Sequence, residues 1–204
     1  MKILLIDDNE RLTQIYQMIL RKQGYETEIV LDSSHALEKI RTENPDLVLL
    51  DIMMEPLTGW EVLQQIREDT ELSNLPVIIL TGKIMTMDEA LLYGMKIDGF
   101  VMKPLERTML VTAIEEVWEI LEECQARYKR ALDAGLSEEK ASECRRMIRK
   151  RRILSYLKDI LTRQERIVNL RPDEQSEMKN TIEELRKMIE TEYIGFAQGE
   201  ISCP

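Results

Sequence analysis

Asp7 and Asp8, Asp51, Thr81 and Lys103 are the side chains whose types and order could do chemistry in this 204-residue chain. Each follows a short apolar run: Asp7 and Asp8 come after Ile3-Leu4-Leu5-Ile6, and Asp51 after Leu47-Val48-Leu49-Leu50. Thr81 comes after Val77-Ile78-Ile79-Leu80, and Lys103 after Gly99 to Met102. Three carboxylates gathered at one spot repel, a pair about 4 Å apart by on the order of 4 kcal/mol even at an effective dielectric of about 20. A hard divalent cation with oxygen ligands would compensate that repulsion. Mg²⁺ suits the place because it uses one or two carboxylates, keeps waters and bridges to phosphate oxygens. Lys103 adds a compact positive charge, and the Thr81 hydroxyl is able to donate to a phosphoryl oxygen. The set therefore points to the handling of a phosphoryl group beside a bound cation.

Those residues need a scaffold that brings them together. The three strongest apolar runs are continuous rather than alternating in polarity, as strands buried on both faces are. Weaker strands are expected at Thr27 to Leu31 and Gly99 to Met102, and helices at Arg11 to Gln23, His35 to Thr42, Gly59 to Arg67, Asp88 to Gly94 and from Arg107 onward. Gly24 stands where a helix stop is expected, and Pro45 and Pro76 stand just ahead of strands. Five strands each followed by a helix imply a doubly wound α/β domain with a five-stranded parallel sheet. In such sheets ligands collect outside the carboxyl ends of the strands, where the strand order switches, and the five residues above occupy those ends.

The ordered set Asp7-Asp8, Asp51, Thr81-Gly82 and Lys103-Pro104, with Phe100 three residues before the lysine, resembles the CheY-like (flavodoxin-like) receiver domain of two-component response regulators over residues 1 to about 120. The resemblance implies that Asp51 accepts a phosphoryl group from a sensor histidine kinase or a small phosphodonor. It implies that Asp8, Asp51 and the Met53 backbone carbonyl hold Mg²⁺ directly, and that Asp7 does so through water. Lys103 would pair with the phosphoryl oxygens, and Lys103-Pro104 would be a cis peptide. Phosphorylation would draw Thr81 toward the site and let Phe100 move into the space behind it. That movement would reshape the face made by the fourth helix, fifth strand and fifth helix. Catalysis beyond this self-catalysed phosphotransfer and autodephosphorylation is not expected.

Two departures from the family's common pattern stand out. Pro56 comes one residue late in Met53-Met54-Glu55-Pro56 while Gly59 stays in register, which brings Glu55 in as an extra carboxylate near the metal. Met53 and Lys83 occupy positions that influence the approach of a hydrolytic water in this family, and so bear on the phosphate lifetime. The stretch from Asp51 to Trp60 is reminiscent of response regulators from methanogenic archaea.

Charge divides the chain in two. Up to Trp118 there are 11 basic and 21 acidic residues, and after it 17 of each. From Leu110 the residues Ile114, Val117, Leu121, Cys124, Tyr128 and Ala131 continue one apolar stripe, so the last receiver helix is expected to run on into an all-helical segment over 121–204. Asp133-Ala134-Gly135 should end it, Ser137 should cap a helix reaching about Val168, and Pro172 should open a last one. This half loosely resembles HalX-type modules, and its amphipathic faces call for a helical hairpin, a small bundle or a homodimer. The basic stretch Arg145, Arg146, Arg149, Lys150, Arg151 and Arg152 could follow nucleic-acid phosphates, though a solvated face paired with the acidic last helix is the favoured reading. The expected output is control of a protein or DNA partner. Direct DNA binding through the basic helix is one alternative. A haloacid-dehalogenase-type phosphatase is the other, and Met53 opposes it because such enzymes need a second acid two residues after the nucleophile.

No apolar run approaches the roughly 20 residues of a membrane span and no leader pattern opens the chain, so a cytoplasmic protein without membrane association is expected. Three cysteines, Cys124, Cys144 and Cys203, lack redox or metal spacing, and disulfides are not expected. His35 is expected at the surface or in a cap.

Overall fold

The computed structural model describes residues 1–82, 89, 92–93, 96–103, 107–143 and 158, together with 183–184, 186–187 and 190–191. Five strands, β1 (Lys2–Ile6), β2 (Glu26–Val30), β3 (Leu47–Asp51), β4 (Val77–Thr81) and β5 (Gly99–Met102), form one sheet in the order β2-β1-β3-β4-β5. Every pairing is parallel. The order reverses between β1 and β3, which opens a crevice at their carboxyl ends. Asp7 and Asp51 stand there.

The continuous apolar runs behave as their composition requires. All five residues of β3 and of β4 are buried, as are Ile3, Leu4, Leu5 and Ile6 in β1. Side chains on both faces of these strands pack into the core, and each fully buried Leu or Ile contributes about 1.5–3 kcal/mol of transfer free energy. The edge strand β2 has the mixed pattern that made it hard to see, with Thr27 and Val30 buried and Glu26 exposed.

Helix α1 (Glu10–Lys22) starts where the Asn9 side chain accepts from the Leu12 N–H, and its buried residues Thr13, Tyr16 and Leu20 recur at helical spacing. It stops at Gly24, whose φ of +86° is a conformation that costs glycine little. A turn at Ser33–His35 precedes α2 (Ala36–Glu43). The Asp32 side chain caps that turn by accepting from Ser34 N–H, while His35 is exposed, with Nδ1 3.3 Å from Asp32 Oδ2. Helix α3 (Gly59–Glu68) opens with a capping box in which Thr58 accepts from Glu61 N–H and the Glu61 carboxylate accepts from Thr58 N–H.

The helix expected at Asp88 to Gly94 falls mostly outside the described residues, though Glu89, Leu92 and Tyr93 are helical. Helix α4 (Arg107–Asp133) is continuous, so the expected boundary at 120/121 lies inside it. Its Leu110, Ile114, Val117, Cys124 and Ala131 are buried, the spacing that the sequence stripe required. Gly135 (φ +83°) ends it, and residues 138–143 are helical after Ser137, whose hydroxyl accepts from Lys140 N–H at 3.4 Å.

The chain divides into two compact units, Met1–Ile84 with Lys96–Glu115 and Met85–Met95 with Glu116–Pro204. The basic residues Arg145, Arg146, Arg149, Lys150, Arg151 and Arg152, as well as Pro104, Lys83, Cys144 and Cys203, lie outside the described residues. Among the described residues no helix is long and apolar enough to cross a membrane.

Candidate functional site

The first unit brings Asp7, Asp8 and Asp51 together, with one carboxylate oxygen of each within 4.8 Å of the others. Asp7 follows β1 and is fully buried, Asp51 ends β3 and is nearly so, and Asp8 is exposed. Lys103, one residue beyond β5, reaches across with Nζ 2.6 Å from Asp7 Oδ2 and 3.2 Å from Asp51 Oδ2. The lysine amine is thus closer to Asp7 than to Asp51, and the second oxygen of Asp7 accepts from Asn9 N–H at 2.9 Å. Asp51 Oδ1 accepts from the N–H of Ile52 at 2.9 Å. Thr81 is fully buried at the end of β4, and its carbonyl accepts from Lys103 N–H at 2.7 Å. Phe100 on β5 is partly exposed.

Backbone packing fixes Asp51 as firmly as these side chains do. Gly59 N–H donates to the Ile52 carbonyl at 2.9 Å, and a Cβ on Gly59 would lie 2.0 Å from the Asp51 carbonyl oxygen. Only glycine permits so close an approach. Between Ile52 and Gly59 the loop is pinned by Ser33, a buried residue whose hydroxyl accepts from Leu57 N–H at 2.9 Å. Nothing in the local sequence announces that contact, because it joins positions 24 apart across two loops. Glu55 is exposed and is not one of the three clustered acids. The Glu55-Pro56 bond is cis, whereas the bond expected to be cis, Lys103-Pro104, falls outside the described residues. The Met53 side chain is exposed.

Burial pushes the Asp51 carboxyl above its ordinary range; the Lys103 charge opposes that rise and the Asp7 charge adds to it. For Lys103, burial alone would lower the ammonium, but its hydrogen bond to Asp7 and the charges of Asp51 and Asp7 outweigh that and hold it raised. Lys103 therefore keeps its proton, and its stabilising contribution is lost only as pH climbs beyond the ordinary lysine range. Asp51 follows the same sign at lower pH: a raised carboxyl favours the fold at pH values below its ordinary range of about 4 and loses that contribution as pH rises through the raised value. The stability of the metal-free protein relative to Asp51→Asn should accordingly fall over the window in which pH rises above the ordinary carboxylate range of about 4, measured by denaturant unfolding of both. A difference that is flat or grows in that window would contradict the account.

The donor set is all oxygen, and one ammonium against three carboxylates leaves negative charge uncompensated. That combination fits a hard divalent cation and offers no soft ligand for a transition metal. The cluster can therefore hold a cation and a phosphate-like anion side by side, with Lys103 as the fixed positive charge.

Residues 3–115 match the family model described as the response regulator receiver domain. The DNA-binding response regulator MtrA of Mycolicibacterium smegmatis is 36% identical over 113 residues, which are 55% of this chain and 48% of that protein. The uncharacterized transcriptional regulatory protein YclJ of Bacillus subtilis is 32% identical over 174 residues, 85% of this chain and 70% of that protein. The chain thus spans about half the length of MtrA. The crystal structure of a CheY-like receiver domain protein from Methanospirillum hungatei covers 58% of this chain and 94% of its own, with 28% identity and a TM-score of 0.53.

Proposed function

The chain belongs to the family of response regulator receiver domains through residues 3–115, and on that premise we propose that it acts as the phosphoreceiver of a two-component relay. Asp51 takes the phosphoryl group from a phosphohistidine of a sensor histidine kinase or from a small acyl phosphate. The observation that carries this reading is the Lys103 amine bridging Asp7 and Asp51 in the crevice between β1 and β3.

In the transfer a carboxylate oxygen of Asp51 forms the bond to phosphorus. The bond from phosphorus to the donor imidazole nitrogen breaks, and its electron pair leaves with the imidazole. The product is an acyl phosphate on Asp51. Ile52 N–H orients the carboxylate through Oδ1, and Lys103 lies 3.2 Å from Oδ2, placed to neutralise charge on the transferring oxygens. Asp8, Asp51 and the Met53 carbonyl would hold Mg²⁺, with Asp7 acting through water because both of its oxygens are already engaged by Lys103 and Asn9. Bound Mg²⁺ supplies further charge neutralisation at the phosphoryl oxygens.

The new phosphoryl group adds about −1.5 to −2 charge and three strong acceptors beside the Thr81 hydroxyl. Thr81 moves toward them, and Phe100, carried on the neighbouring strand β5, repacks behind it. The helical half reads out that change through altered packing or self-association and acts on a protein or DNA partner. The chain catalyses only its own phosphotransfer and autodephosphorylation.

Incubation with acetyl phosphate and Mg²⁺, followed by intact-mass analysis, should show one phosphate per chain, and chelation of the metal should prevent it. Equal labelling in the presence of chelator would remove the cation from the account. Absence of any label would remove the phosphoreceiver.

A further inference from the structure

Far from the acidic cluster, at the opposite end of β4 and β5, Arg67 and Asp98 form a second charged network. Their side chains are 13% and 4% exposed, and Arg67 Nη2 lies 3.3 Å from Asp98 Oδ2. The Arg67 guanidinium also donates to three backbone carbonyls: Nε to Lys96 at 2.7 Å, and Nη1 to Leu75 at 2.8 Å and to Ser73 at 3.3 Å. Asp98 in turn accepts from Val77 N–H at 2.9 Å and donates its own N–H to the Val77 carbonyl at 2.8 Å. One side chain of α3 thereby holds the loop before β4 and the root of β5 together.

β5 needs such an anchor. It has four residues, lies at the edge of the sheet with β4 as its single neighbour, and opens with a glycine that has no side chain to pack. A strand this short gets little register information from its own pairing, and a slip of one residue would turn every side chain to the other face. Yet the residue just after it is Lys103, whose amine must lie within hydrogen-bond reach of Asp51. Lys103 follows Asp98 by five positions, about 16 Å along an extended chain.

The other end of α3 is already tied to the phosphoacceptor, through Gly59 against the backbone of Asp51 and Ile52. Arg67 is eight residues further along that helix, about 12 Å at the usual rise. A single rigid rod therefore touches the nucleophile at one end and the root of the lysine-bearing strand at the other.

We propose that Arg67 and Asp98 are positioning residues for phosphotransfer, tying β5 to α3 and so setting the distance between Lys103 and Asp51. The inference rests on the reading of Asp51 as phosphoacceptor and Lys103 as its charge partner.

The test is a double-mutant cycle on the full chain, reading the rate of phosphorylation by acetyl phosphate with Mg²⁺, and Mg²⁺ affinity by calorimetry. Arg67→Met keeps the aliphatic stem and removes every donor. It should slow phosphorylation about tenfold when Lys103 is present, by misplacing the amine by a fraction of an ångström, and less than about twofold in the Lys103→Ala background. Mg²⁺ affinity, which depends on Asp8 and Asp51, should stay within about twofold of the wild type, as additivity between distant sites requires. If Arg67→Met does not fold, Arg67→Lys is read in the same cycle, because an ammonium keeps the charge but cannot span the acceptors as the planar fork does. An equal slowing in both backgrounds, or a parallel loss of Mg²⁺ affinity, would overturn the positioning role. A Lys103→Ala protein as fast as wild type would instead overturn the underlying reading of Lys103, and the inference with it.

Discussion

Asp51→Asn is expected to abolish phosphate uptake from acetyl phosphate while leaving the fold intact. A carboxylate oxygen carries the charge that attacks phosphorus, whereas the amide has neither a charged oxygen nor a free nitrogen lone pair. The neighbouring acids are poor substitutes. Asp7 has one oxygen 2.6 Å from the Lys103 amine and the other accepting from Asn9 N–H, and Asp8 is exposed to water, where its carboxylate stays solvated. Residual labelling should therefore fall by at least about 10³-fold, the scale on which removal of an essential nucleophile acts. Folding should survive because burial makes ionised Asp51 costly, and a neutral side chain of the same shape removes that cost. The pair of measurements is intact mass after acetyl phosphate and thermal unfolding followed by circular dichroism. Undiminished phosphate on a folded Asp51→Asn protein would mean that another side chain is the acceptor.

Gly59→Ala should be the most damaging change outside the carboxylates. The added methyl would meet the Asp51 carbonyl oxygen at 2.0 Å and the Asp51 carbonyl carbon and Ile52 Cα at 2.8 Å each. All three atoms belong to backbone and cannot swing aside as a side-chain tip would. Either α3 or the end of β3 must move, and overpacking of this kind costs on the order of 3 kcal/mol. The displaced atoms carry the nucleophile, and a misplacement of about 1 Å is enough to lower a transfer rate by about 10²-fold. Phosphorylation rates on the folded fraction, with stability from denaturant unfolding, separate the two effects. A Gly59→Ala protein with normal stability and normal rate would show that the contact between α3 and β3 does not hold Asp51 in place.

Much of this was legible in the sequence because the central strands are buried on both faces. Continuous apolar runs mark β1, β3 and β4 without ambiguity, and the polar residue that ends each run is then at a carboxyl end of the sheet. The edge strands were weaker signals: β2 carries Glu26 and Glu28 among its apolar residues, and β5 has four residues led by glycine. The stripe from Leu110 to Ala131 foretold one long helix, and α4 runs unbroken past the end of the sheet domain's sequence.

Contacts between residues far apart in the chain were not legible. No local pattern shows that Lys103 comes closer to Asp7 than to Asp51, that Ser33 braces the loop after β3, or that Arg67 bridges two loops to Asp98. Such pairings depend on where the elements pack, and a sequence window carries information only about the element itself. Glu55 illustrates the same limit: adjacency in sequence suggested an extra carboxylate near the metal, but the acids gathered within 4.8 Å are Asp7, Asp8 and Asp51, without Glu55.

The most direct test of the central claim is to locate the phosphoryl group. Wild-type protein treated with acetyl phosphate and Mg²⁺ is reduced with borohydride, which converts an aspartyl phosphate to homoserine, and the position is then read by peptide mass spectrometry. Homoserine at position 51 alone is expected. Homoserine at position 7 or 8, or none at any position in protein shown to be folded, would contradict it.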